Sequence, residues 1–326
     1  MMTPPKTLAM AMAMMAVMGQ AAHADYALNL STSQNAQDPM VIAMEAAKER
    51  IETRSNGEMK ITIFPSSQLG EDNDVIEQIR NGANIAVLVD AGRLAPFQKE
   101  LGILAAPYLV DDYSQYAAIT GSPIYGEWVE ALAQSSGLRL LNYNWFQGTR
   151  QMFTTNVVNG PADLSGVRVR TIGAPSWIAT VAAMGATPAP MPWSEVYSGL
   201  QLGAIDGAEA QLTGAYGIKL HEVVKHVALT NHIQLFTGLV TSDQWFQALP
   251  EELRLIVTEE LAQAGDEATQ MTVDKLGSVQ QEMEAAGVVF NEVNEADFSS
   301  LVGGVYTEMG LEDVRTALEP YITATE

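Results

Sequence analysis

The sequence predicts an α/β protein built as two domains, and three observations carry that expectation. Its 326 residues give room for two units, at roughly 100 to 200 residues per domain. Short β-rich runs alternate with helical patterns, the signature of α/β architecture. No linker, internal repeat or low-complexity tract separates the halves, so the boundary is expected at a hinge inside compact structure, crossed more than once.

The elements follow in order. Ala27 to Leu30 reads as a strand. Met40, Met44, Ala47 and Ile51 recur at helical spacing until Gly57 stops the helix. Met59, Ile61 and Ile63 alternate with Lys60 and Thr62, a second strand closed by Pro65-Ser-Ser. Glu71 to Arg80 is a helix with acids in its first turn, and Ile85 to Val89 reads as a buried parallel strand. A second cycle brings strands at Leu138 to Tyr143 and Val167 to Arg170, with a helix from about Ser176 to Met184. Pro250 opens a long amphipathic helix, with Leu253, Val257, Leu261, Ala264, Ala268, Leu276, Val279 and Met283 on one side. Gly287 ends it, and Val288 to Phe290 is a late strand.

Composition narrows the function. With 39 acids against 17 bases and a formal charge of -22, the molecule's field repels polyanions, so no nucleic-acid partner is expected. The chain has no cysteine, which removes disulfides, thiolate metal sites and thiol catalysis together. At the start, Lys6 precedes the apolar run Leu8 to Met18, too short to span a bilayer, and Ala22-His23-Ala24 supplies a small-x-small cleavage pattern. Residues 1–24 therefore read as a secretory signal peptide, and the periplasm is the expected location.

Catalytic constellations are few. His221-Glu222-Val-Val-Lys-His226 approaches the zinc-protease pattern, but a five-residue spacing turns the second imidazole about 140° from the first on an α-helix. Glu71-Asp-Asn-Asp74 lacks the glycine and terminal glutamate of a calcium loop. There is no nucleophile elbow, phosphate loop or dinucleotide fingerprint. No enzyme activity, cofactor or metal is expected.

The informative stretch is Gly148-Thr-Arg-Gln-Met152 followed by Asp163-Leu-Ser-Gly-Val-Arg-Val-Arg170. Strand alternation puts Arg168 and Arg170 on one face, and Arg170 stands at the carboxyl end of its strand, where α/β proteins collect ligands. A guanidinium there can fork onto a carboxylate. A structural arginine fits the same placement.

These runs, with Met184-Gly-Ala-Thr-Pro-Ala-Pro-Met-Pro-Trp-Ser-Glu-Val-Tyr197 and Leu200-Gln-Leu-Gly-Ala-Ile-Asp-Gly-Ala-Glu209, resemble the solute-binding subunits of tripartite ATP-independent periplasmic (TRAP) transporters, the C4-dicarboxylate-binding type. Pro65-Ser-Ser-Gln-Leu-Gly70, Thr230-Asn-His232 and Leu249-Pro-Glu-Glu-Leu253 extend the likeness over nearly all of the chain after residue 24. The resemblance implies a two-lobed periplasmic binding protein fold with a hinge and a long lobe-spanning helix. It places lobe I at 25–147 plus about 236–275, and lobe II at about 148–235 plus 276–326. It also implies capture of a small organic carboxylate, ligand-driven closure and delivery to a TRAP membrane permease. A secreted two-lobed enzyme acting on a small organic acid, or the receptor of an ATP-driven transporter, are the alternatives.

The resemblance puts the principal carboxylate clamp on Arg170, a second pocket arginine on Arg150 and the pocket aromatic on Trp193, with Arg168 solvated. It adds Asp90, Glu209 and, in the N-terminal polar loop, Ser33 and Asn35 to the ligand site. Trp145 and Phe146 are candidates for an apolar wall, with core packing as the alternative. Ala210 stands where many relatives place a solute-binding asparagine. Together with the larger ring of Trp193, that departure points to an aromatic or apolar monocarboxylate.

Overall fold

A computed structural model of the chain describes residues 26–323; the expected signal segment, 1–24, lies outside the described residues. The strands are β1 (Tyr26–Ser31), β2 (Met59–Phe64), β3 (Ile85–Asp90), β4 (Leu138–Thr149), β5 (Gln151–Thr154), β6 (Arg168–Thr171), β7 (Thr187–Pro190), β8 (Gly207–Ala210), β9 (His226–Leu229), β10 (Gln234–Ser242) and β11 (Val289–Glu292). They form two sheets, ordered β2-β1-β3-β10-β4 and β11-β9-β5-β8-β6-β7.

In the first sheet β1 runs parallel to both β2 and β3, and β10 runs antiparallel to β3 and β4. All of β3 is buried, as its unbroken apolar run predicts. Alternation along it serves two cores: Val87 and Val89 join the cluster under helices α2 (Asp72–Arg80) and α3 (Pro123–Ser136), while Ala86 and Leu88 join the cluster under α1 (Pro39–Arg54). The second sheet divides its side chains in the same way. Phe153, Ala208, Ala210 and Val227 face one cluster, and Met152, Val169 and Ala228 face the other, beneath helix α4 (Pro175–Ala183).

Four segments cross between the lobes, the last of them the C-terminal segment described below. The strand β4 runs through Gly148 into β5, and residues 230–233 return beside it, tied by Arg150 N–H to Ile233 O at 2.8 Å. Gly148 takes φ of 109° at this turn, where a side chain would be strained. The third crossing is the helix α5 (Glu251–Ala285), 35 residues long and so roughly 50 Å. Its first half places Leu253, Val257, Leu261, Ala264 and Ala268 in the first lobe's core, and its second half places Val279 and Met283 in the second's. Buried Glu260 binds Arg50 and Arg54, fastening α5 to α1.

The C-terminal segment departs from the division expected at residue 276. Phe298, Val302 and Val305 pack in the second lobe, but Tyr306, Leu311 and Leu318 belong to the core of the first. Tyr306 Oη donates to Pro107 O at 2.7 Å. An amphipathic pattern marks which face is buried and carries no information about which lobe covers it. No helix among the described residues is long and apolar enough to cross a membrane.

Asp38 caps α1 by accepting from Met40 N–H at 3.0 Å, and burial raises its pKa to about 6 against the opposing pull of that bond and of Lys275. The folded chain thus holds this proton through a window where the unfolded chain, near 3.8, has lost it. Stability falls as pH rises across that window. Asp38→Asn keeps the capping oxygen and removes the charge. It is expected to stabilise the protein by about 1 to 3 kcal/mol above pH 6.5 and to change little below pH 4. Thermal melts at the two pH values check this, and an equal gain at both would sink it.

Candidate functional site

The order β2-β1-β3 means the chain leaves β1 to one side and then to the other, and β8-β6-β7 repeats that reversal around β6. Ligands of α/β sheets collect at such switch points, beyond the carboxyl ends of the strands. Both switch points open onto one cleft between the lobes. Ser33 and Gln34 reach it from beyond β1, Asp90 and Arg93 from the end of β3, and Asp72 from the start of α2. Arg170 and Ile172 face them from the end of β6, with Trp193 and Gln211 beside them.

Arg170 is 2 % exposed, and its Nε–H donates to Met191 O at 3.0 Å. Its guanidinium lies over the Trp193 ring, 5.0 Å from the centroid. No ion pair to a carboxylate is formed by Arg170 among the described residues. Burial lowers its pKa to about 9, with Glu209 opposing and the fields of Arg150 and Arg93 adding to the effect. A buried cation so placed is stabilised by an anion brought into the cleft.

Arg150 is held differently. Its Nε donates to Glu209 Oε2 at 2.5 Å, Nη1 to Gln211 Oε1 at 2.6 Å and Nη2 to Glu209 O at 2.6 Å. Glu209 also accepts from Thr171 Oγ1 at 3.0 Å, and His232 Nε2 stands 3.8 Å from its carboxylate. Burial raises the Glu209 pKa, but Arg150, His232 and Arg170 together outweigh it and hold this carboxyl well below the usual range. The same burial keeps His232 below its ordinary value.

On the facing lobe, Arg93 pairs with Asp90 and, at 3.3 Å, with Asp72. Burial raises the pKa of Asp72, and Arg93 opposes it. Asp90 Oδ1 also accepts from Trp177 Nε1–H at 2.8 Å, a bond from the other lobe. A chain of amides closes the floor: Gln34 and Gln211 both donate to Gln147 Oε1, at 3.1 and 3.0 Å, and Gln147 donates to Thr237 Oγ1 at 3.0 Å.

Of the residues expected at the site, the structure brings Arg170, Arg150, Trp193, Asp90 and Ser33 to the cleft. Glu209 stands behind it as the partner of Arg150. Trp145 and Phe146 do not form a wall. Trp145 lies in the core under α1, and Phe146 stacks on Tyr113 at 4.7 Å in the opposite core, because adjacent residues of a strand point to opposite faces. Asn35 lies outside this cleft, lining a separate surface recess, and accepts from Gln37 N–H at 2.8 Å. Ala210 packs in the second lobe's core, so the position does not remove a polar partner from the cleft. Alternation from Glu209 identifies Gln211 as the cleft residue. Gln34, Arg93, Gln147 and Thr237 also line the cleft, with no local sequence signal beyond the one helical turn by which Arg93 follows Asp90, and Asp72, an acid of a helix's first turn in sequence terms, joins them. His221 lies in the turn Leu220–Glu222 and His226 opens β9, so the two share no helix.

Because Arg150 and Glu209 are buried together, Glu209→Gln leaves an uncompensated guanidinium. The expected cost is about 3 to 5 kcal/mol in urea unfolding at pH 7. The pair's stabilisation is present above pH 4.5 and lost as pH falls through the depressed folded pKa. A loss below about 1 kcal/mol would remove the pair from its structural role.

The chain matches the family described as bacterial extracellular solute-binding protein, family 7, over residues 30–313. It is similar to the 2,3-diketo-L-gulonate-binding periplasmic protein YiaO of Escherichia coli, 28% identical over 310 residues and covering 94% of each chain. A TRAP periplasmic solute binding protein from Ochrobacterium anthropi with bound L-fuconate is 30% identical, with TM-score 0.88 over 91% of this chain and 99% of that one. The apo open structure of a TRAP periplasmic solute binding protein from Escherichia fergusonii is 39% identical, with TM-score 0.81 over 91% of this chain and 100% of that one. The two-lobed fold, the motif set and these likenesses agree: this chain belongs to bacterial extracellular solute-binding protein family 7, the solute-binding proteins of TRAP transporters.

Proposed function

We propose that this chain captures a small hydroxylated monocarboxylate, of the aldonate or uronate type, in the periplasm and passes it unchanged to a TRAP membrane permease. The observation that carries this reading is Arg170, a buried cation with no carboxylate partner among the described residues, facing a cleft lined by amides and hydroxyls. One carboxylate satisfies one guanidinium by two parallel hydrogen bonds. Ser33, Gln34, Gln147, Gln211 and Thr237 then offer partners for hydroxyl groups.

An aromatic tail has less to recommend it. The face of Trp193 is already taken by the Arg170 guanidinium, and the side chains around the cleft are mainly polar. Relatives support the polar choice: one is named for 2,3-diketo-L-gulonate and another holds L-fuconate. The resting ion pairs further support binding over turnover. Arg150, Glu209, Asp90 and Arg93 are committed to one another, leaving no acid and base poised over a common reacting atom.

A thermal-shift panel of L-fuconate, D-galacturonate, succinate, benzoate and sialic acid tests the solute class. An acid at 100 times its dissociation constant is expected to stabilise the fold by about 2.7 kcal/mol. Stabilisation by succinate or benzoate alone would contradict the hydroxylated monocarboxylate. Arg170→Ala is expected to weaken the best binder by roughly 30-fold to several thousand-fold, with Arg170→Lys a poor rescue. Mass spectrometry of the recovered acid is expected to show no chemical change.

A further inference from the structure

The indole of Trp177 belongs to one lobe and is buried in the other. It stands in the first turn of α4, yet it packs in the first lobe's cluster. Its Nε1–H donates to Asp90 Oδ1 at 2.8 Å, and its ring lies 5.1 Å from the Arg150 guanidinium. On its remaining edge it meets Gly92. A Cβ there would stand 2.6 Å from Nε1 and 2.8 Å from Cδ1, distances that no side chain tolerates.

Gly92 has no backbone reason to be glycine. It sits in the short helix Ala91–Leu94 and is not among the glycines of positive φ. Alanine is the better helix former at such a place. Within its own lobe a Cβ meets Asp90 Oδ1 at 2.9 Å, an oxygen that accepts from Arg93 N–H; the closer obstacles come from Trp177 of the opposite lobe. The two tightest of these contacts exist only when the lobes are together.

The geometry points to Trp177 as a positioning residue that couples the Arg150 side of the cleft to lobe closure, with Gly92 as the notch that admits it. This rests on the reading that the lobes close over a small carboxylate. Closure seats the indole between Arg150 and Gly92 and gives Asp90 a buried donor. Part of the closed state's stability therefore comes from protein meeting protein, whatever solute is bound. A second bond, Ser194 Oγ to Glu71 Oε1 at 2.7 Å, spans the rim above it and supplies a place to measure closure.

The chain has no cysteine, so Glu71→Cys with Ser194→Cys gives a unique thiol pair across the rim. Dibromobimane joins two thiols only when they approach, and its cross-linking rate in solute-free protein reports how often the lobes meet. In this background Gly92→Ala is expected to slow cross-linking at least about tenfold, with unchanged circular dichroism and a melting temperature no lower than the parent's. Trp177→Phe, which keeps a ring and loses the N–H, is expected to slow it too. Once Trp177→Ala has removed the indole, Gly92→Ala is expected to have no further effect. Equal rates in the parent and Gly92→Ala would overturn the proposal, as would an undiminished Gly92→Ala effect without the indole. The rates are read without solute, so failure of L-fuconate or D-galacturonate to bind the unmodified protein would overturn the solute class and leave this result standing.

Discussion

The contact on which the site depends is the buried pair of Arg150 and Glu209. Arg150 lies where the chain leaves the first sheet for the second, and Glu209 lies on β8 of the second. A lone ion at such depth costs several kcal/mol, so neither side chain is stable there without the other. Their bond fixes the crossing strand against β8, and the Arg150 N–H bond to Ile233 fixes it against the returning strand. Two of the crossings are thereby held at one point. The same pairing neutralises Arg150, whereas Arg170, of the cleft's three arginines, makes no ion pair among the described residues.

The cleft follows from topology as much as from side chains. Each sheet reverses its direction of growth about its central parallel strands, and the reversals face each other. Loops beyond β1, β3 and β6 must turn away from the sheet there, exposing backbone and side chains to a shared space. The cores lie mainly on the sheet faces, behind this region. The lobes meet in front of it, where Trp177 bonds Asp90 and Ser194 bonds Glu71. The helix α5 joins both cores.

Much of the fold was legible because its signals are local. The alternation in Met59 to Ile63, the unbroken run of β3 and the apolar stripe from Leu253 to Met283 each follow from one element's period. Arg170 was legible for the same reason, as the end of a short strand before a turn. Residues whose role depends on a distant partner were not. Asp72 and Arg93 lie 21 positions apart and meet only because α2 and the end of β3 converge, while the C-terminal helix gives no local sign that it returns to the first lobe. Trp145 and Phe146 were drawn toward the site by their nearness to Gly148, whereas strand alternation sends them to opposite cores. The same alternation sets Ala210 away from the cleft and Gln211 toward it.

Charge accounting then limits the solute. Arg150 is balanced by Glu209, and Arg93 stands against both Asp72 and Asp90. With Arg170 the cleft is neutral in sum: three guanidinium groups against three carboxylates, but with positive charge concentrated on one wall and the surplus acid on the other. A monocarboxylate directed at Arg170 meets the positive wall and turns its other end toward Asp72 and Asp90. Hydroxyl groups at that end can donate to carboxylate oxygens. A second carboxylate there would face like charge in a desolvated space, a juxtaposition that costs several kcal/mol at an interface. Asp72, whose protonated form burial already favours, would have to take up a proton to admit it. On the proposed reading the wall opposite Arg170 selects by repulsion as the arginine selects by attraction, and the repulsion follows from where two aspartates and one arginine are placed around the end of β3 and the start of α2.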